Sequence, residues 1–596
     1  IFLDPDPDPA ASWAERARMF ELPRSSWEDY DKALISKGGG VFPRDAKVIR
    51  LSKAMQAVLG TEQAEWEPEG LINAILKAPV DLLWFGGIGT YVKASSENNV
   101  QVGDPANDVM RVDGRELRAR VIGEGANLGV TQAGRIEFAL GGGRINTDFI
   151  DNSAGVDCSD NEVNIKIALA AAKRAGRLSE AKRVKLLAEM TDEVAALVLE
   201  DNRLQALALS IAQHGGARAA DSQLHLIETL EAGGNLDRRT EGLADGQVLH
   251  RRALEGVGLT RPELAVLLSS TKLVIQDAVE NSALPQDPLL TDVLLAAFPR
   301  PMRKTYREEI ETHRLRGAII ATKLANRMVN RLGIIHPFEL AEEEGVDLAQ
   351  VAAAFVTTEK LFGIAPLWEE LDEAPMPEAA RLLLFDRLAA SVANLMADML
   401  RSNGGDLKPS AVLEAIGTNV AVLARATDEL LADTLRHQSG QLLSRFIAAG
   451  APPALARRVT HLVDLDGAVA LARLSAESGI DAEVLTRGFG DLGQALGIDW
   501  AQSTAALMVP SDVWERMLVS GLARDFQQMR IELLRRLARR KGAKEDMAAA
   551  VADWAAMHEA ALGQFRVMVA RAQAQSPVAP AVLAQIASMA RNLLAR

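Results

Sequence analysis

The sequence predicts a mostly α protein: an N-terminal α/β portion followed by a large all-helical C-terminal region. Two observations predict it. Before about residue 170, three continuous apolar runs alternate with helical patterns: "DLLWFGG" (81–87), "RARVIGEG" (118–125) and "RINTDFI" (144–150). Unbroken apolar runs bounded by Gly and Asn are the pattern of strands covered on both faces, hence of a parallel sheet. After that point apolar residues recur at the helical period almost to Arg596, in a stretch rich in Ala and Leu, and aromatics make up only 4% of the chain.

Taken in order, the chain opens with "IFLDPDPDP", which has neither the basic region nor the cleavage site of a signal peptide and reads as the end of a strand. Helical patterns follow at "WAERARMFEL" (13–22) and "PEGLINAILKA" (68–78). "SKGGGVF" (36–42) and "LGGGRI" (140–145) read as loops, because neither has GxGxxG or Walker spacing. Ser159 or Asp160 is expected to cap a helix beginning at "NEVNIKIALAAAKRAG", with Glu162 three residues after Ser159 as in a capping box. Breaks in the helical region are expected at "HGGARAAD" (214–221), "EAGGNLDRRTEG" (231–242), "HPFEL" (336–340), "SNGGDLKPS" (402–410) and "AGAPP" (449–453). No fixed-period repeat occurs, so one or two helical domains are expected rather than a regular solenoid. The domain reading is 1–170 and 171–596, with 336–345 as the candidate sub-boundary.

Length and charge narrow the function classes. A chain of 596 residues exceeds the ~250–300 at which single cores stop growing, so two to four domains are expected. The net charge of −14 argues against a general nucleic-acid binder. Cys158 is the one cysteine, which excludes an internal disulfide and fits a reducing, cytoplasmic setting. No stretch approaches ~18 uninterrupted apolar residues, so no membrane helix is expected. The eight histidines show no metal spacing, and no metal site is expected. No histidine is near Cys158 in sequence, and a small packed thiol is its commoner reading. The basic run "RRLARRKG" (535–542) follows "IELL" at helical spacing and reads as the solvated face of one helix.

Ligands of open parallel sheets bind at the carboxyl ends of the strands. All three apolar runs end in small or polar residues, at 86–87, 123–127 and 151–155. Glycine there admits close approach of a ligand to the backbone, and free N–H groups can hold a phosphate or an amide. Any one such end could be a plain strand-to-helix turn. Three in one α/β unit point to a cofactor cleft.

These residues resemble the glutamate dehydrogenases. "VIGEGANLGVT" resembles the family's E-G-A-N-G-P-T-T turn, and "DFIDNSAGVDCSDNE" is similar to its D-L-Y-L-N-A-G-G-V-T-V-S-Y-F-E segment. "DLLWFGGIGTYV" lines up without gaps on D-I-L-I-P-A-A-L-E-N-Q-I, and "IFLDPDPD" resembles I-Y-N-P-D-G. The motifs keep the family's order. The wording is closest to the large bacterial NAD-dependent members, in "LPRSSWEDYDKALISKGGGVFPR", "GRINTDFIDNSAGVDCSDNEVNIK", "LTRPELAVLLSSTKL" and "IIATKLANRMVNRLG".

The resemblance implies the second half of a Rossmann-like NAD-binding domain. The implied reaction is oxidative deamination of L-glutamate to 2-oxoglutarate and ammonia, with NAD reduced, in a homo-oligomeric enzyme. It implies cofactor contacts at Gly86, Gly87, Gly125, Ala126, Asn127 and Asn152, and a hydrogen bond from Ser159 to the substrate's side-chain carboxylate. Leu128-Gly129 stands where the family has Gly-Pro, and Gly89-Thr90 where it has Glu-Asn. The family's catalytic lysine and aspartate and its glycine-rich turn have no match here and are expected upstream of Ile1. The chain therefore reads as the C-terminal piece of a longer enzyme, inactive alone. Two alternatives are a helical assembly or regulatory module carrying an inactive half-domain, and another amino-acid dehydrogenase of the same superfamily. Ser159 weighs against the second, since branched-chain members lack a carboxylate-binding residue at that place.

Overall fold

The computed structural model describes residues 1–87, 89–403, 407–431, 433–508, 513–540 and 542–594. Among these, nine short strands precede residue 146. They are β1 (Phe2–Leu3), β2 (Gly40–Val41), β3 (Ile49–Arg50), β4 (Glu65–Trp66), β5 (Leu82–Phe85), β6 (Val92–Lys93), β7 (Val112–Asp113), β8 (Val121–Glu124) and β9 (Arg144–Ile145). β1 pairs with β2 and β3 with β4, both antiparallel, and β6 pairs with β7 in parallel. The sheet that positions the site is parallel, in the order β5-β8-β9. Its register sets Phe85 opposite Glu124 and Ile122 opposite Ile145.

Side chains alternate across a strand. Leu83, Phe85, Ile122 and Ile145 therefore share one face, packed with Leu76, Val92, Val130 and Phe138. Leu82, Trp84 and Val121 share the other, which is exposed: Trp84 keeps 58% of its surface accessible. The expected parallel sheet is present, but only one of its faces is covered by the described residues. An apolar run reports that a strand is suited to burial, not what buries it. The helices Pro9–Glu21 and Pro68–Leu76 stand where their patterns predict, each with proline in its first turn, where the missing N–H is not needed.

Two readings of the segment after β8 are corrected. The third apolar run is a strand only at Arg144–Ile145, and Asp148–Asp151 form a helical turn. Asn146, Thr147 and Asp148 interrupt the run with side chains that favour helix starts over ladders. The long helix then begins at Ser153 and runs to Arg174, so Ser159 and Asp160 lie inside it and cap nothing. Its start is fixed from a distance: the Asn202 amide donates to the Ile150 carbonyl at 2.7 Å and to Ser153 Oγ at 2.6 Å. Nothing near Ser153 in sequence announces that anchor.

From Ser153 to Leu594 every regular element among the described residues is helical. One cluster of buried apolar side chains extends from Ile150 to Leu594 and passes through Phe338 and Leu340. Helices Arg261–Glu280 and Arg316–Leu332 pack together at its centre. Thr260 and Glu263 form a capping box at the first, and Arg252 holds Glu263 at 2.8 Å. Breaks occur as expected after Ala232, after Ala448 and around Gly215, and the helix Glu378–Asn403 ends where the break at 402–410 was placed. Residues 404–406 of that break lie outside the described residues. "HPFEL" is a helix start, not a break: Pro337 sits in the first turn of His336–Glu344, and the interruption is at Gly333, with φ +84°. The basic run does not lie on one helix, because Val513–Leu537 ends within it; Arg536, Arg539 and Arg540 are exposed, and Lys541 lies outside the described residues. No single described helix is long and apolar enough to cross a membrane.

Candidate functional site

The register of β5 on β8 brings the first two strand ends side by side. Gly86 directly follows Phe85, and Gly125 directly follows its partner Glu124. Gly86, Gly87, Asn127 and Leu128 are exposed, and a side-chain carbon built on Gly87 would meet no atom within 4 Å. At Gly87 the end of β5 therefore faces open space that a planar ligand could occupy, whereas at the end of β8 Gly125 lies against the Trp84 ring. The third end contributes through the helical turn: the Asn152 amide donates to Asn127 Oδ1 at 2.7 Å. Two asparagines 25 residues apart thus meet beside the two glycine turns.

The segment "GEGANLG" is a tight turn held from below. Glu124 is wholly buried and receives Arg135 twice, Nε at 2.7 Å and Nη2 at 2.9 Å. Its Oε1 also accepts the Val130 N–H at 3.1 Å. Arg135 reaches Asp148 at 3.0 Å, and Asp148 Oδ2 accepts the Leu128 N–H at 2.8 Å. Asp151 accepts the Glu124 N–H at 3.1 Å. Burial pushes Glu124 above the ordinary carboxylate range, and the Arg135 guanidinium pulls it back. The pair costs desolvation, and each member needs the other in place.

The glycines do more than leave room for a ligand. A Cβ at Gly123 would come within 2.5 Å of the Trp84 ring, and one at Gly125 within 2.4 Å. The indole lies across both, so their lack of a side chain is also a packing requirement. Leu128 carries the turn at φ +58°, in the left-handed region that a branched residue rarely enters. Anchoring by Asp148 and Glu124 on either side holds it there.

Ser159 lies apart from this group. It is exposed, two helical turns along Ser153–Arg174, roughly 10 Å from Asn152 by helical rise. Val156 and Ser159, three residues apart, are exposed on one face of the helix, and Asn152, half-buried, precedes its first turn. The electrostatic argument from a helix N-terminus does not hold for Ser159. Cys158 is half-buried on the same helix. On the same helix, Asp157 is pushed up to about 6, by burial first and then by Asp201.

The supporting residues Arg135, Asp148, Asp151 and Arg261 escape a reading of the sequence. Arg261 joins the α/β unit to the helical one. It donates to Asn146 Oδ1 at 2.8 Å, Ser210 Oγ at 3.0 Å and the Ala206 carbonyl at 3.2 Å. Gln132 donates across the same boundary to the Pro262 carbonyl at 3.1 Å. The only sequence signal was negative: charged residues inside otherwise apolar patterns.

Residues 1–212 match the family model described as bacterial NAD-glutamate dehydrogenase, catalytic domain, and residues 256–592 match that described as glutamate dehydrogenase, C-terminal. The chain belongs to the bacterial NAD-dependent glutamate dehydrogenase family. Among its relatives, the NAD-specific glutamate dehydrogenase of Pseudomonas aeruginosa is 40% identical over 97% of this chain and 36% of its own length. That of Halomonas elongata is 37% identical over 94% of this chain and 35% of its own, and that of Mycobacterium tuberculosis 43% identical over 77% and 29%. The chain spans about a third of the length of these relatives.

Proposed function

We propose that this chain forms one wall of an NAD site and part of a glutamate site in an enzyme of oxidative deamination, L-glutamate to 2-oxoglutarate and ammonia. The observation that carries the reading is the meeting of Asn127 and Asn152 beside the adjoining ends of β5 and β8. On this reading Gly86, Gly87, Gly125 and Ala126 present backbone to the cofactor. Asn127 and Asn152 hold each other's amides in place and offer their remaining hydrogen-bonding groups to it. Ser159 holds the substrate's distal carboxylate. Bound NAD accepts the hydride; the residues named here bind and orient. None of them is a general acid or base, so the proton transfers of deamination are assigned to other groups.

The α/β unit, to about residue 170, carries this site, and the helical unit supports it through Arg261. The same reading has a cytoplasmic homo-oligomer that engages neither nucleic acid nor membrane. The single cysteine and the net charge of −14 support parts of it. The exposed Trp13 and Phe20, seven residues apart on one helix, support self-association.

The test is steady-state kinetics of the enzyme with Asn127→Ala or Asn152→Ala, followed by NADH absorbance. Each should raise the KM for NAD by about tenfold, the value of one lost hydrogen bond of roughly 1–1.5 kcal/mol, and leave the KM for glutamate unchanged. A change confined to the glutamate constant would remove both residues from the cofactor site. Trp84 gives a second readout, because its indole borders Gly125. NAD should alter fluorescence in the wild type and alter it less in Trp84→Phe.

A further inference from the structure

The helical unit contains a cavity of about 280 Å³, with charged and apolar side chains in its wall, that no part of the proposed reaction uses. Helices His336–Glu344, Glu378–Asn403, Asp499–Leu507 and Val513–Leu537 surround it, with the turn at Asp466. It has room for about nine water-sized groups.

The cavity wall carries four carboxylates, Glu339, Glu343, Asp398 and Asp466, against three guanidiniums, Arg401, Arg516 and Arg524. Glu343 pairs with Arg524, Glu344 with both Arg401 and Arg524, and Glu339 lies 3.5 Å from His336. Asp398 and Asp466 have no ion-pair partner among the described residues, although both line the cavity. Asp398 is only 9% exposed. It accepts the Ala470 N–H at 3.2 Å, at the start of helix Ala468–Ser478, which explains its place but does not neutralise it. Burial, and then the charge of Asp466, pushes it up to about 7. Asp466 is accessible through the cavity.

A second, independent observation points to a ligand. Gln527 also lines the cavity and is 8% exposed, yet its amide makes no hydrogen bond among the described residues. It lies against Gly467, the neighbour of Asp466, where an added Cβ would come within 2.9 Å of its Nε2. A buried amide normally finds a partner. Here its open side is the cavity.

We propose that this cavity binds a small protonated amine, with the ammonium between Asp398 and Asp466 and the Gln527 carbonyl accepting one of its hydrogens. An ammonium offers three donors and no acceptor. It would bring a cation to Asp398, which no guanidinium faces, beside Asp466, on which Arg524 and Arg530 already act, and a partner for the amide. The volume suits a short alkyl chain. The inference is independent of the NAD site.

The test is calorimetric titration of the purified protein with three probes of matched size: butylamine, 1,4-diaminobutane and butanoate. Saturable binding of either amine, and none of butanoate, is expected. Tighter binding of the diamine than of butylamine would mean that a second carboxylate, such as Glu339, takes its other end. Equal affinity would confine the site to one ammonium. Asp466→Asn and Gln527→Ala should each weaken amine binding, the former by roughly tenfold to a hundredfold as expected for a charged hydrogen bond. Asp466→Asn removes no helix cap, so its folding, checked by thermal unfolding, should match the wild type. Absence of saturable amine binding, affinity unchanged in Asp466→Asn, or butanoate binding as well as butylamine would each overturn the proposal.

Discussion

Ser159 can be tested cleanly because nothing structural depends on it. Its side chain is exposed and it lies inside a helix rather than at its cap. Ser159→Ala should therefore leave the thermal unfolding temperature unchanged, since surface substitutions of this kind fall within about 0.5 kcal/mol. If it holds the substrate carboxylate, the lost hydrogen bond to a charged group is worth roughly 1.5–3 kcal/mol, and the KM for glutamate should rise tenfold to a hundredfold. An unchanged constant removes Ser159 from the substrate site. Cys158→Ser, one residue away, should keep most activity.

At the scale of elements, the turn after β8 depends on one arginine from the following helix. Arg135→Met would leave Glu124 and Asp148 without their buried cation, a loss of roughly 3–5 kcal/mol. The measurement is amide exchange across residues 121–152, which should accelerate. Adding Glu124→Gln should restore part of the protection, because the uncompensated charge is then gone. Protection equal to the wild type in the single variant would mean that the turn is held otherwise. The helix Arg261–Glu280 carries a second buried charge, Lys272, which burial pushes down to about 7, with Gln205 accepting from it at 3.3 Å. Asp201 and Lys323 face it from the neighbouring helices, themselves paired at 2.8 Å. An amine depressed in the fold stays neutral there while the unfolded chain takes up a proton. Stability should therefore fall as pH drops from about 10 toward 7. Lys272→Met removes that dependence. Its unfolding temperature should exceed the wild type's near pH 7, with the gap closing toward pH 10. A constant gap across that range would show that Lys272 does not titrate this way.

For the whole molecule, the two units meet through both apolar and polar contacts: Ile150 packs into the helical core, helix Gln132–Leu140 lies against helix Arg261–Glu280, and Arg261 adds hydrogen bonds across the boundary. Arg261 bridges Asn146 to the helix Thr191–His214, and burial holds its guanidinium below the usual arginine range. Arg261→Ala should lower the stability of the α/β unit by roughly 1.5–3 kcal/mol while leaving the helical core intact. Hydrogen exchange reads this directly: residues 118–152 should lose protection, and residues 350–400 should keep it. Equal loss in both would mean that the chain unfolds as one cooperative body.

The sequence by itself determined the division into a parallel α/β portion and a helical remainder. It also determined the strand ends at 86–87 and 123–127 and the resemblance that names the family. Those follow from local periodicity and from glycine and asparagine at turns, and such signals span only a few residues. Tertiary structure alone decided where the helix after β9 begins, because Asn202 anchors it from 50 residues away. It decided that Trp84 lies over Gly123 and Gly125, that Asn127 meets Asn152, and that Arg135 holds Glu124 and Asp148 together. It brought Asp398, Asp466 and Gln527 to one cavity from three separate segments. Each is a contact between residues distant in sequence, and the energy of a buried charge or amide depends on what the fold sets beside it.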